Sequence, residues 1–105
     1  MASKHPHDLI NETIHQRTRL AIMASLTAVE SLDFSDLKAQ LGLTDGNLSA
    51  HLAALEHSGF VAVEKSFVGK KPRTTIHMKP KGRTALERYI NLLQTILDKA
   101  RQPRP

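Results

Sequence analysis

The chain has 105 residues, no cysteine and a formal net charge of +5. That length suits one domain over 1–105 with a modest core, and without cysteine there are no disulfides, thiolate metal sites or cysteine nucleophiles. No apolar run nears the ~18 residues that cross a bilayer, and the polar start lacks a secretion-signal pattern, so a cytoplasmic protein is expected.

The charge is unevenly spread. Residues 1–60 hold four Lys/Arg against seven Asp/Glu, and residues 61–105 hold eleven against three. Within 61–83 the basic residues Lys65, Lys70, Lys71, Arg73, Lys79, Lys81 and Arg83 are opposed only by Glu64. Such asymmetry makes a localised field that suits a polyanion, although a solvated lysine-rich surface would look the same. A basic membrane-surface helix fits poorly, because the densest basic stretch reads as strands and a loop.

In chain order, residues 1–7 are expected to be disordered. Leu9, Ile10 and Ile14, then Leu20, Ile22, Met23, Leu26 and Val29, recur at helical spacing and predict helices over 8–15 and 18–29, broken near Gln16-Arg17. A very short strand is expected near 32–34. Ser35 is a candidate N-cap for a short helix to Leu41, which Gly42 ends. Thr44 is the next N-cap candidate, with Asp45 favourable in the first turn and Leu48, Leu52 and Leu55 as the buried stripe. Ser58-Gly59-Phe60 reads as a Schellman ending.

Alternation over 60–65 and 74–79 predicts two strands. Residues 66–73 between them read as a loop too long for a tight hairpin, with Lys70, Lys71 and Arg73 at or near its tip and Phe67 and Val68 pinning it to the body. A final helix over 81–100 carries Leu86, Ile90, Leu93, Leu97 and Ala100 at 4-3-4-3 spacing, with Tyr89 and Ile96 widening the stripe. The tail 101–105 holds two prolines, cannot continue the helix, and is expected to be disordered.

Two helices joined through Leu41-Gly42-Leu43-Thr44 make a helix-turn-helix, whose second helix commonly enters the DNA major groove. A basic-tipped hairpin follows at once, which makes an α+β, mainly α, winged helix. The segment from Ile14-His15-Gln16-Arg17-Thr18-Arg19 to Met23 resembles the second helix of ArsR/MarR-type regulators. Leu37–Leu43, Leu48-Ser49-Ala50-His51-Leu52 and Ser58-Gly59-Phe60-Val61 are similar to their helix-turn-helix and its exit, and 67–73 resembles the wing of a winged-helix DNA-binding subgroup. The resemblance covers about 14–97 and implies a dimeric transcription factor. Pro often stands at the place of Arg17 in that family, and Arg or Gln at the place of Ala50.

With Leu48 inward and 100° per residue, Gly46, Ala50, Ala53 and His57 point most directly outward, flanked by Asn47 and Ser49. His51 lies nearer the buried stripe, where a core partner or a phosphate could hold its ring. This face is small and poor in long hydrogen-bonding side chains. Asn47 can pair with adenine, Ser49 can reach base edges or phosphate, and Thr44 with the helix N-terminal amides can hold a phosphate. The candidate DNA contacts are therefore Thr44, Asp45, Gly46, Asn47, Ser49, Ala50 and His51 of the helix and Lys70, Lys71 and Arg73 of the wing.

The final helix is about 30 Å long at 1.5 Å per residue, longer than the core beneath it. It could pack on Leu9, Ile10 and Ile14 of its own chain. Pairing with a second copy accounts better for the width of the stripe. The candidate dimer interface is Leu9, Ile10, Ile14, Leu86, Tyr89, Ile90, Leu93, Ile96 and Leu97, giving a homodimer on palindromic double-stranded DNA. The six histidines are scattered over different elements, so no metal and no cofactor is expected, and no catalytic motif appears. The alternative from another class is a winged-helix module that binds protein instead of DNA, which the small-residue face around Ala50 allows.

Overall fold

The computed structural model describes residues 6–103. The disorder expected of residues 1–5 and 104–105 lies outside them. Pro6 and His7, expected to be disordered, instead open a 3-10 turn, Pro6–Leu9. At the other end Arg101 and Gln102 still donate backbone bonds to Leu97 and Lys99, closing the last helical turn.

The first helix is shorter than its apolar spacing suggests. Asn11 accepts from the amide of Ile14, so helix α1 is confined to Glu12–His15. The expected break falls at Gln16, which is extended (φ −77°, ψ 127°), and its side chain caps α2, Arg17–Leu26, by accepting from the Arg19 amide at 2.8 Å. Helix α2 stops before Val29 because Thr27 bonds back to the Ala24 carbonyl.

Strand β1 is Leu32–Asp33 and helix α3 is Phe34–Leu41. Ser35 is therefore inside the helix, and Asp33 occupies the N-cap without a side-chain cap bond. Its carboxylate is engaged elsewhere, by Arg73 at 3.0 Å. Gly42, at φ 63°, lets Leu43 N–H reach the Lys38 carbonyl and ends α3. Helix α4, Asp45–His57, ends in the predicted Schellman arrangement: Gly59 is at φ 79°, its amide donates to Glu56 and that of Phe60 to Leu55.

The hairpin differs most from expectation. Strands β2 (Val61–Val68) and β3 (Lys71–Met78) run to within two residues of each other, so 66–73 is no open loop. Gly69 has φ 64° and Lys70 a negative φ, the pattern of a type II′ turn, whose twist matches that of the strands. Pro72 suggested a loop because it cannot donate to a ladder. It is tolerated because Val68↔Lys71 closes the turn, which makes Phe67↔Pro72 a pair without mutual hydrogen bonds. On the other side β1 reaches only Thr75 and Ile76, giving the sheet order β1-β3-β2.

Helix α5 is Pro80–Ala100, with Pro80 in the first turn where its missing N–H is harmless. Its start sits against the end of α4 and the beginning of β2. Lys79 N–H donates to the Phe60 carbonyl at 2.9 Å, and Gly82 has no room for a side chain: a Cβ would collide with that carbonyl oxygen and lie 2.9 Å from Met78 Sδ. The core joins all these elements through buried Ile14, Ile22, Met23, Leu26, Leu37, Leu48, Leu52, Leu55, Phe60, Val61, Ile76, Leu86 and Tyr89.

Candidate nucleic-acid interface

The first turn of α4 is built by Thr44, whose backbone is extended and whose hydroxyl accepts from the Asn47 amide at 3.1 Å. Burial of Leu48, Leu52 and Leu55 turns the opposite side outward, so Asp45, Gly46, Asn47, Ser49 and Ala50 are all exposed. Asp45 is not free for a polyanion: Lys38 Nζ lies 2.8 Å from its carboxylate across the turn. That ion pair offsets a negative charge that would otherwise repel phosphate next to the helix N-terminus.

His51 is half-buried and lies off this exposed face. Its Nδ1 is 3.3 Å from Nη1 of Arg19, whose Nε donates to the Thr13 carbonyl. Guanidinium can only donate, so Nδ1 is the unprotonated nitrogen and the proton of the neutral ring sits on Nε2. Burial, with the Arg19 charge adding to it, lowers the His51 pKa below its ordinary value. Arg19 carries no signal in the sequence beyond its place in α2, because its partner lies on another helix.

On the wing, Lys70 and Lys71 are exposed at the turn. Arg73 is two residues further down β3 and is committed to Asp33, with Nε and Nη2 both 3.0 Å from the same carboxylate oxygen. Phe67 and Val68 do not pin the wing to the body, since they are 73% and 58% exposed. Strands continue to the turn, so these side chains stand beyond the last element that could cover them. The wing and α4 share one open space, lined by Asp45, Ser49, Ala53 and Glu56 of the helix and by Val63, Lys65 and Thr74 of the sheet. Lys65 joins the candidate set through the strand period, which puts it on the same face as Val61 and Val63.

The residues expected to pair two copies are divided. Ile14, Leu86 and Tyr89 are largely covered by their own chain, at 0%, 4% and 5% exposure, and of the three Tyr89 borders an open groove beside α5. Tyr89 also shares a 2.8 Å hydrogen bond with His15 Nδ1, which ties α5 to α1. Leu9, Ile90 and Leu97 are exposed, while Ile10, Leu93 and Ile96 are half-buried. Among the described residues, no three His, Asp or Glu stand close enough to hold a metal ion, and no helix is long and apolar enough to cross a membrane.

Comparison with known proteins agrees with this geometry. An uncharacterized protein of Methanocaldococcus jannaschii is 44% identical over 72 residues, spanning 69% of this chain and 78% of that protein. A transcriptional regulator homologue from Pyrococcus horikoshii OT3 superimposes with a TM-score of 0.81 at 28% identity, covering 88% of this chain and 91% of that one. A structure described as a MarR-family regulator from Enterococcus faecalis V583 gives 0.72 at 24% identity over 97% of each chain. The transcriptional regulator MOSR of M. tuberculosis, solved in complex with DNA, gives 0.59 at 22% identity over 87% of this chain and 61% of its own. These three structures are described as transcriptional regulators or a homologue of one, and the last two are likenesses of fold alone. The profile of the winged helix DNA-binding domain matches residues 18–97. The chain belongs to that winged helix DNA-binding domain family.

Proposed function

We propose that the chain is a cytoplasmic, dimeric transcriptional repressor that binds palindromic operator DNA. In this reading α4 lies in the major groove, with Asn47 and Ser49 at base edges and the Thr44-capped helix start on a phosphate. Lys70, Lys71 and Lys65 neutralise phosphates from the wing. The observation that carries the reading is the shared open face: the exposed first turns of α4 and the inner face of the basic hairpin border the same space. Repression follows if the bound dimer covers a promoter.

Shape supports a second copy. The radius of gyration is 16.6 Å and the longest extent 66 Å, whereas a compact chain of this length has a radius of about 13 Å. Helix α5, about 30 Å long at 1.5 Å per residue, displays Ile90 and Leu97 to solvent. Beside α5 runs a groove of about 830 Å³, bordered by Leu9, Phe60, Ala85 and Leu92, which offers a seat for a partner's helix. A two-fold pair would present two α4 helices to half-sites about one helical turn apart.

The test is selection of duplexes from a random pool by the purified chain, followed by salt titrations. Lys70→Ala with Lys71→Ala should weaken selected and random duplex alike and flatten the log–log salt dependence by about 0.9 per lost phosphate contact. Asn47→Ala should cost ~1–3 kcal/mol on the selected duplex and far less on random DNA. If neither change alters DNA affinity and no duplex is enriched, the DNA-binding reading fails and the protein-binding module takes its place.

A further inference from the structure

Phe67 is the most exposed large apolar side chain among the described residues, at 73%, and it stands on the part of the molecule richest in lysine. Alternation along β2 puts Val61, Val63, Lys65 and Phe67 on one face of the sheet. Val63 and Lys65 on that face border the space against α4, so Phe67 projects from the same side, one pleat further out and past its own chain's cover. Behind it on β3 stands Pro72, its cross-strand partner, whose locked φ stiffens the support. Lys65 stands on the same face, Lys70 at the turn, and Lys71, the cross-strand partner of Val68, on the opposite face of the hairpin tip.

An apolar ring framed by ammonium groups matches a partner that is anionic outside and apolar within, and a stacked duplex between two rows of phosphates is such a partner. We propose that Phe67 is a wedge that enters the minor groove beside the major groove filled by α4 and partly unstacks one base step, while Lys65, Lys70 and Lys71 hold the flanking phosphates. The inference rests on the DNA-binding reading above and adds a residue and a mode of recognition to it. Insertion of apolar side chains between base steps is a general way for proteins to kink DNA from the minor groove. Its sequence preference comes from the ease of deformation, greatest at TA and CA/TG steps, and needs no hydrogen bond to a base. That complements an α4 face made largely of Gly46, Ala50 and Ala53, which offers few groups for direct readout.

The chain has no tryptophan, so Phe67→Trp places a single indole at the proposed wedge. The probe is a duplex enriched by the wild-type chain from a random pool, with 2-aminopurine at each step beside the α4 site in turn. Phe67→Ala should bind this duplex about tenfold more weakly with an unchanged salt slope, because stacking is lost and no phosphate contact is. Indole emission of the Trp variant should be quenched at saturation, and 2-aminopurine at one step should brighten with wild type and not with Phe67→Ala. If Phe67→Ala binds like wild type and the indole is unaffected, the wedge is wrong while DNA binding stands. If wild type enriches no duplex, both readings fall. Should Phe67→Ala instead lower the sedimentation coefficient of the free protein, the ring belongs to a contact between copies, and the wedge is again overturned. The Trp variant keeps a ring in place and reports insertion whether or not the Ala variant is less stable.

Discussion

The guanidinium of Arg73 grips Asp33 through Nε and Nη2, each 3.0 Å from the same carboxylate oxygen, and so fastens the wing to the start of α3. Both side chains are partly exposed, at 49% and 32%, which limits the pair to about 1 kcal/mol or less. A double-mutant cycle of Arg73→Ala and Asp33→Ala in thermal unfolding should return a coupling of that size. In DNA titrations Arg73→Ala should leave the salt slope nearly unchanged. A slope flattened by about 0.9, equal to one lost phosphate contact, would show that Arg73 leaves Asp33 for the duplex.

The contact between Arg19 and His51 predicts a dependence on pH. The folded-state pKa of His51 is lowered from the ordinary 6.5 by burial, with Arg19 adding to it. Above 6.5 the ring is neutral in both folded and unfolded chains, and the stability linked to it is fully present. As pH falls below that value the unfolded chain takes up the proton first, so stability is lost, and the loss ends below the folded pKa. His51→Gln keeps an acceptor for Arg19 and does not titrate. Melting temperatures from pH 7.5 down to about 5 should therefore fall more steeply for wild type than for the variant. Parallel curves would remove His51 from the account.

Two glycines should respond in opposite ways to alanine. At Gly82 a methyl group would strike the Phe60 carbonyl and crowd Met78, so Gly82→Ala should cost about 1–3 kcal/mol despite the better helix propensity of alanine. At Gly46 nothing lies within 4 Å of the added carbon. Gly46→Ala should raise stability by up to about 1 kcal/mol in denaturant unfolding. It should at the same time weaken duplex binding, if α4 approaches the bases closely there.

Self-association can be tested without breaking the fold, because Ile90 and Leu97 are 53% and 43% exposed on the single chain. Ile90→Glu and Leu97→Glu should leave the circular dichroism spectrum unchanged. Each should shift sedimentation of the wild-type dimer toward monomer, since a charge in an apolar seam loses its hydration without a partner. A wild type that sediments as a monomer at tens of micromolar would exclude the pairing.

Local signals carried most of the architecture. The Leu48, Leu52, Leu55 stripe, the Thr44 cap and the Gly42 and Gly59 endings act over a few residues, so the helix-turn-helix is legible in the sequence, and so is the exposure of Asn47 and Ser49. The break at Gln16 was legible too, although the cap on Asn11 that shortens α1 competed with an equally helical pattern.

What the sequence could not determine depends on partners far away in the chain. Arg73 meets Asp33 across 40 residues, Arg19 meets His51 across 32 and His15 meets Tyr89 across 74. Each of these pairs decides whether a side chain is free to bind or is held in place. Pro72 and Gly69 signal breaks locally and make the wing look like a loop, yet the unpaired side of β3 and the II′ turn absorb both. The α5 stripe is continuous in sequence, but only packing could divide it: Leu86 and Tyr89 lie over the core and are covered, while Ile90 and Leu97 lie on the sides and end of the helix that the core does not reach. Periodicity specifies which residues are apolar together; the size and position of the core specify which of them remain to meet another molecule.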